Sequence, residues 1–201
     1  VKSADAFAQL RQLDLPVFTT REAGALWRSE QTSSSRRLSG LEKAGLIRRI
    51  QRGLWTLDSR IDPRVVGPYL TAPFPSYVSL FSALADHGMV EQIPRQISLA
   101  SLARPRRIHT TLGVYVVHQL TPELFGGFEG TERSGFLATP EKALFDLVYV
   151  RAAAGSRAHV PELHLPESFD RGELERWGER IASPRLRTIV RRHLEKLLAI
   201  Y

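Results

Sequence analysis

The chain has 201 residues, 43% of them hydrophobic, which suits one large domain or a small one joined to a medium one and argues against global disorder. It holds no run of about 18 apolar residues, no signal-peptide pattern and no Cys, so no membrane partner is expected, disulfides and thiolate metal sites are excluded, and a reducing, cytoplasmic setting is expected. The net charge of +7, with a pI near 10.2, favours a polyanionic partner, most often nucleic acid.

The excess charge lies early. Residues 1–60 carry 11 Lys/Arg against 6 Asp/Glu, whereas residues 61–201 carry 17 against 15. The chain begins at Val1 and its single Met is Met89, so the native start is expected upstream. Ser3 to Leu13 reads as a first helix, with Phe7, Leu10 and Leu13 on one face. Pro16 ends it. Thr19 or Thr20 caps a second helix, with Glu22 in its first turn and Ala23, Leu26 and Trp27 on its buried side. Ser29 to Gln31 is read as the turn, and a third helix runs from about Ser33 to Gly45 with Leu38, Leu41 and Ala44 inward.

The opposite face of that third helix carries small hydroxyls and long cations: Ser34, Ser35, Arg36, Arg37, Ser39 and Lys43, with Ser33 at its start. Hydroxyls and Lys suit phosphates, and Arg can grip a guanine bidentately. Leu46 to Ile50 then reads as a strand, Gln51-Arg52-Gly53 as a turn and Leu54 to Leu57 as the return strand, a hairpin made basic by Arg48, Arg49 and Arg52. Three helices followed by a basic hairpin form the pattern of a winged helix-turn-helix, in which the second helix of the pair enters the DNA major groove. Ser33, Ser34, Ser35, Arg36 and Arg37 are the expected base-reading turn, and Ser39, Lys43, Arg48, Arg49 and Arg52 complete the interface, mostly toward phosphates.

Asp58 to Pro75 is a Pro-punctuated connector with a short helix around Arg64 to Leu70, and the domain boundary is placed near residue 60. Tyr77 to His87 reads as a helix stopped by Gly88, and Gln96 to Ala100 as a strand. Arg106 to Thr111 and Val114 to Gln119 form a hairpin, and Thr121 to Phe125 one helical turn before the Gly126-Gly127 bend. Gly135 to Ala138 is a short strand. Thr139 and Pro140 then open a strong helix that buries Ala143, Leu144, Leu147 and Val148. His159 to Phe169 is irregular, and Arg171 to Ile181 and Pro184 to Ala199 are two further helices. Trp177 and Tyr201 are read as packing residues. The expected fold class is therefore α+β, a winged head over residues 1–60 followed by a mixed α/β domain over 61–201 with a small sheet and C-terminal helices.

The six His residues are scattered without metal-ligand spacing, and no metal site or cofactor is expected. Glu141, Lys142 and Asp146 are the best local cluster for a metal-dependent nuclease. Helix capping accounts for Glu141 more simply, and Asp146 falls off its face, so no catalytic residue is assigned. Binding rather than catalysis is expected. A nuclease or other DNA-processing body, and a body that senses a small ligand for a winged-helix transcription factor, stay open as alternatives.

Several segments taken together carry a resemblance. They are Gly53-Leu54-Trp55; Tyr77-Val78-Ser79 through Ser82-Ala83-Leu84 and His87-Gly88; Gln92-Ile93-Pro94; Gly113-Val114-Tyr115 with His118; Leu124-Phe125-Gly126; and Ala138 to Asp146. In this order, over residues 5–155, the chain resembles the AbiEi-type antitoxins, or AbiEi-like transcriptional regulators, of type IV toxin–antitoxin systems. That resemblance implies a repressor that binds double-stranded DNA in its own promoter through the winged head. It also implies a body that counteracts a nucleotidyltransferase-type toxin, directly or indirectly, with no individual neutralising residue assigned.

Overall fold

The computed structural model describes residues 3–160 and 162–199. Tyr201 lies outside them. The first part of the chain forms helix α1 (Ser3–Arg11), strand β1 (Phe18–Thr19), α2 (Thr20–Trp27), α3 (Gln31–Lys43), β2 (Arg48–Gln51) and β3 (Leu54–Thr56). Helix α2 starts at a reciprocal cap. The Glu22 N–H donates to the Thr19 hydroxyl at 3.1 Å, and the Thr19 N–H donates to the Glu22 carboxylate at 2.6 Å. Helix α3 ends through Gly45, at φ 71°, where the Leu46 N–H turns back to the Leu41 carbonyl at 3.0 Å. The strands pair in the order β1-β3-β2, all antiparallel. Strand β1 is absent from the sequence reading because it is only two residues long beside Pro16. It forms because Val17 and Phe18 are buried toward opposite sides, Phe18 among the helices and Val17 toward the rest of the molecule.

The remainder comprises α4 (Pro63–Thr71), β4 (Ser76–Val78), α5 (Leu80–Asp86), β5 (Ile97–Ser101), β6 (Arg106–Thr110), β7 (Gly113–Gln119) and a 3-10 turn at Pro122–Leu124. After these come β8 (Phe128–Thr131), β9 (Gly135–Ala138), α6 (Pro140–Ala153), α7 (Arg171–Glu179) and α8 (Pro184–Leu198). Six strands form one mixed sheet in the order β6-β7-β5-β4-β9-β8. The protein is thus α+β, with eight α-helices and two sheets among the described residues. Val78, Leu99, Tyr115 and Val117 on one face of the large sheet pack on Val65, Val66 and Leu70 of α4. Tyr77 and Ala100 on the other face meet α5, α6 and the two C-terminal helices.

The helix expected over Tyr77 to His87 is corrected. Its first residues form β4 between β5 and β9, with Tyr77 opposite Ala100 and Val78 opposite both Leu99 and Leu137. Both faces of this central strand are covered, so all three of its residues are buried without alternation, and a short run of this kind has no period that separates strand from helix. The helix begins only at Leu80, after an extended Ser79 and with Leu80 itself at φ 54°. Strand β8 also escapes the sequence reading, because its Gly-containing, exposed residues resemble a loop.

The two sheets do not stand apart. Val17, Ile50 and Leu54 share an apolar cluster with α4 and β7. At the tip of the β6–β7 hairpin, the Thr111 N–H donates to the Ile50 carbonyl at 2.9 Å and its hydroxyl donates to the Arg49 carbonyl at 2.7 Å. The Arg48 guanidinium donates to the Thr111 carbonyl at 3.0 Å and to the Ser59 carbonyl at 3.3 Å.

Helix α6 starts at Thr139, whose hydroxyl accepts from the Lys142 N–H at 3.2 Å. Its expected stripe is buried, but so are Glu141, Lys142 and Asp146. Lys142 and Asp146, one turn apart, form an ion pair with both side chains at 0% exposure. The Asp146 carboxylate also accepts from the Tyr77 hydroxyl at 2.9 Å and the Ser79 hydroxyl at 2.7 Å. The ammonium lies 4.6 Å from the Trp177 ring centre, 5.2 Å from Phe145 and 5.7 Å from Tyr77. Trp177, read as a packing residue, is thus one wall of this enclosure. Burial pushes the Asp146 carboxyl up and the Lys142 ammonium down from their ordinary values, and each partner pulls the other back. Asp146→Ala leaves a buried ammonium without its counter-ion, and we expect a loss of about 3–5 kcal/mol in urea unfolding. The pair replacement Lys142→Met/Asp146→Leu removes both charges and is expected to recover most of that loss.

Candidate nucleic-acid interface

Helices α2 and α3 meet through small residues. A Cβ on Gly24 would lie 3.1 Å from the Ser34 hydroxyl and 3.2 Å from the Ser29 carbonyl. Ser34 is fully buried. Its hydroxyl donates to the Glu30 carbonyl at 3.0 Å and lies 2.7 Å from the Ser29 hydroxyl. The turn itself is closed by Arg28, in the left-handed region at φ 48°, and by the Ser29 N–H donating to the Gly24 carbonyl at 3.0 Å. Ser34 was expected among the groups facing DNA. It belongs instead to the joint, in one inward stripe with Leu38 and Leu41. Helix α3 also begins earlier than expected, at Gln31, with Glu30 in the cap position but making no side-chain cap bond.

The outward side of α3 carries Ser33, Arg36 and Lys43, all exposed, with Ser35, Arg37 and Ser39 half-buried at its borders. Arg36 and Lys43 make no side-chain hydrogen bond or ion pair among the described residues, so their charges are uncommitted. Arg37 lies over the Trp27 ring, 4.8 Å from its centre, a stacking that limits where the guanidinium can reach. The ring's own Nε1 is buried with no partner among the described residues.

The hairpin cations divide differently from the expectation. Arg49 pairs with Glu42 at 3.0 Å, donates to the Ser39 hydroxyl at 3.2 Å and lies 4.6 Å over the Trp55 ring. It fastens the sheet to α3. Arg48 is spent on the joint with Thr111 and Ser59. Both were expected to face phosphates; both are half-buried with their guanidiniums engaged within the fold, and Ser39 is drawn into the Arg49 contact. Arg52, at the hairpin turn, is exposed and makes no such bond among the described residues. The structure therefore brings Ser33, Arg36 and Lys43 together on one helix side, keeps Ser35 and Arg37 at its margin, and places Arg52 on the neighbouring turn.

Two cations were missed by the sequence reading. Arg21, on α2, and Arg28, in the turn that follows it, are exposed and line an open cleft of about 490 Å³ with Thr20, Gly24, Ala25, Ser29, Glu30 and Gln31. The start of α3 opens on this cleft.

The acidic cluster of the body has no outward face. The Glu141 carboxylate accepts from the Asp170 N–H at 2.8 Å, and Asp146 is held by Lys142, Tyr77 and Ser79. His87 donates from Nε2 to the Ala138 carbonyl at 2.7 Å. Burial lowers the His118 imidazole below its ordinary value, with Arg151 adding to the effect. No group of three or more acidic or His side chains is placed to hold a metal among the described residues. No helix is long and apolar enough to cross a membrane among the described residues.

No family model matches the chain, and no curated protein matches it. The close α2–α3 contact gives a direct test of this geometry. Gly24→Ala must push Ser34 and the Ser29 carbonyl aside, and we expect a loss of about 1–3 kcal/mol in thermal or urea unfolding, whereas Gly40→Ala, where a Cβ meets nothing, should not destabilise.

Proposed function

We propose that the chain is a DNA-binding repressor whose residues 1–60 form a winged helix-turn-helix and whose residues 61–201 form an antitoxin domain. The observation that carries the DNA reading is the division of α3. Its inner stripe is buried, while Arg36 and Lys43 stand outward with no internal partner. Arg36, Ser33 and the edge residues Ser35 and Arg37 are the base-reading set. Lys43, Arg52, Arg21 and Arg28 are the phosphate set, with Arg21 and Arg28 flanking the start of α3. Arg48 and Arg49 act indirectly, by holding the hairpin at a fixed angle to α3 and to the body.

The antitoxin part of the proposal rests on the resemblance of the segments between Gly53 and Asp146 to AbiEi-type antitoxins. It assigns the body the task of counteracting a nucleotidyltransferase-type toxin, by contact or indirectly, and makes the upstream DNA of the shared operon the ligand of the head. No catalytic step, metal or cofactor enters this function.

Titration of fluorescent DNA from upstream of the operon tests it. Arg36→Ala should cost about 1–3 kcal/mol on the preferred sequence and much less on unrelated DNA. Arg52→Ala should weaken both equally and reduce the slope of log K against log salt by about one. Unchanged binding in both variants sinks the assignment of the head. DNA cut during incubation with Mg²⁺ or Mn²⁺ would replace the repressor with a nuclease. Failure of co-expressed chain to rescue growth from the neighbouring nucleotidyltransferase would remove the antitoxin part alone.

A further inference from the structure

The large sheet is open at both ends, and the ends carry opposite charge. Strand β6 at one end is Arg106-Arg107-Ile108-His109-Thr110, with Arg104 just before it, and Arg104, Arg106, Arg107 and His109 are exposed. Strand β8 at the other end is Phe128-Glu129-Gly130-Thr131, followed by Glu132, and Glu129 and Glu132 are exposed. Beyond the Thr111 contact at its tip, β6 has no strand on its outer side, and β8 has none on its outer side among the described residues. Each edge therefore presents a row of backbone donors and acceptors able to continue the ladder.

We propose that these edges dock on one another in successive copies of the chain, β6 of one copy against β8 of the next. The strand directions permit it. Going across the sheet, β6 is antiparallel to β7, β7 parallel to β5, β5 antiparallel to β4, β4 parallel to β9, and β9 antiparallel to β8. Strands β6 and β8 thus run oppositely, and a copy added by continuing the sheet meets β6 in antiparallel register. The side chains match as well. Arg106 is on the α4 side, where it donates to the Leu70 carbonyl at 3.0 Å. Glu129 is on the same side, because it lies opposite Leu137, two residues from Gly135, whose Cβ would point into Arg64 of α4 at 2.9 Å.

Charge selects this arrangement over the symmetric ones. A two-fold pairing of β6 with β6 sets Arg against Arg, and one of β8 with β8 sets Glu against Glu, and like charges across a ladder repel. Charged edges ordinarily keep strands apart. Here the sign differs at the two ends, so repulsion removes the two-fold pairings and leaves the head-to-tail one. Such a contact uses different surfaces on the two partners and does not close on itself unless the rotation brings it round.

Analytical ultracentrifugation of the full chain without DNA tests the proposal, independently of any DNA role. Wild-type protein should grow past dimer as concentration rises and revert to monomer in high salt. Arg106→Glu/Arg107→Glu spoils one edge, and Glu129→Lys/Glu132→Lys spoils the other, so each variant alone should sediment as a monomer. Mixed together they offer each other two complementary contacts, Arg against Glu and Glu against Lys, so the mixture should grow past dimer as an alternating assembly, which also demonstrates that both are folded. The chain carrying all four changes should regain growth past dimer. A wild-type monomer at every concentration and low salt, or an association that the reversals leave unaltered, or a mixture that stays monomeric while circular dichroism shows both variants folded, overturns the proposal.

Discussion

Lys142 and Asp146 lie one helical turn apart with neither side chain reaching water, and much of the larger part of the chain is arranged to make that tolerable. An ion pair out of water costs desolvation on both partners and is repaid only when every remaining valence is satisfied. The Asp146 carboxylate obtains this from Tyr77 and Ser79, the two residues that flank Val78 at the centre of the sheet. The ammonium obtains it from Asp146 and from the faces of Trp177, Phe145 and Tyr77. Trp177 comes from α7, and its other contacts include the Arg180 guanidinium at 4.2 Å, the Phe145 ring at 6.1 Å and a hydrogen bond to Glu173 at 3.2 Å. A Cβ at Gly127 would lie 2.7 Å from Trp177 and 2.9 Å from the Lys142 stem, which explains a glycine in the left-handed region at that bend. One charge pair thus ties β4, α6, α7 and the Gly126-Gly127 bend to each other.

The head obeys a different constraint. Its helices bury a small core of their own around Phe18, Leu38 and Trp55, but none of those three helices covers the outer face of its sheet. That face is covered by α4 and β7, and the rim is sewn by Thr111, Arg48 and Ser59. Cations near the head therefore separate by environment. Arg48 and Arg49 are engaged by carbonyls, Glu42 and the Trp55 face, Arg37 lies over Trp27 at the margin, and Arg36, Lys43 and Arg52 face solvent without such partners among the described residues.

This separation also marks what was legible in the sequence. Helix ends announced by a short polar N-cap or a C-terminal glycine were readable, as at Thr19, Thr139 and Gly45, because a cap is a local event. The hairpin from Arg48 to Thr56 was readable for the same reason, its Gly lying where the turn needs φ above zero. Strand β4 was not, because what makes Tyr77 and Val78 extended is two strands more than fifteen residues away in sequence. The fate of Ser34 was not readable either, since a serine on a helix is polar in composition and buried only because Gly24 opposes it. Glu141, Lys142 and Asp146 stand out in the sequence as a polar cluster with Asp146 off the Glu141 face, and the spacing of four between Lys142 and Asp146 puts that pair on one side. Only the tertiary structure shows that side turned inward. Charge runs give the sign of a surface but not which members of the run remain at the surface.

The shared seam makes the first sixty residues a poor fragment. Cutting the chain after Arg60 would strip cover from Val17, Ile50 and Leu54 together, all three of which are buried in the intact protein. The freed face is the flat outer side of a three-stranded sheet whose β2 edge has also lost Thr111. Exposed apolar strands with an open edge are the usual seed of aggregation. A soluble minimal head therefore has to carry α4 with it or replace those three side chains by polar ones. The unit that can be transplanted is larger than the unit that reads as a motif.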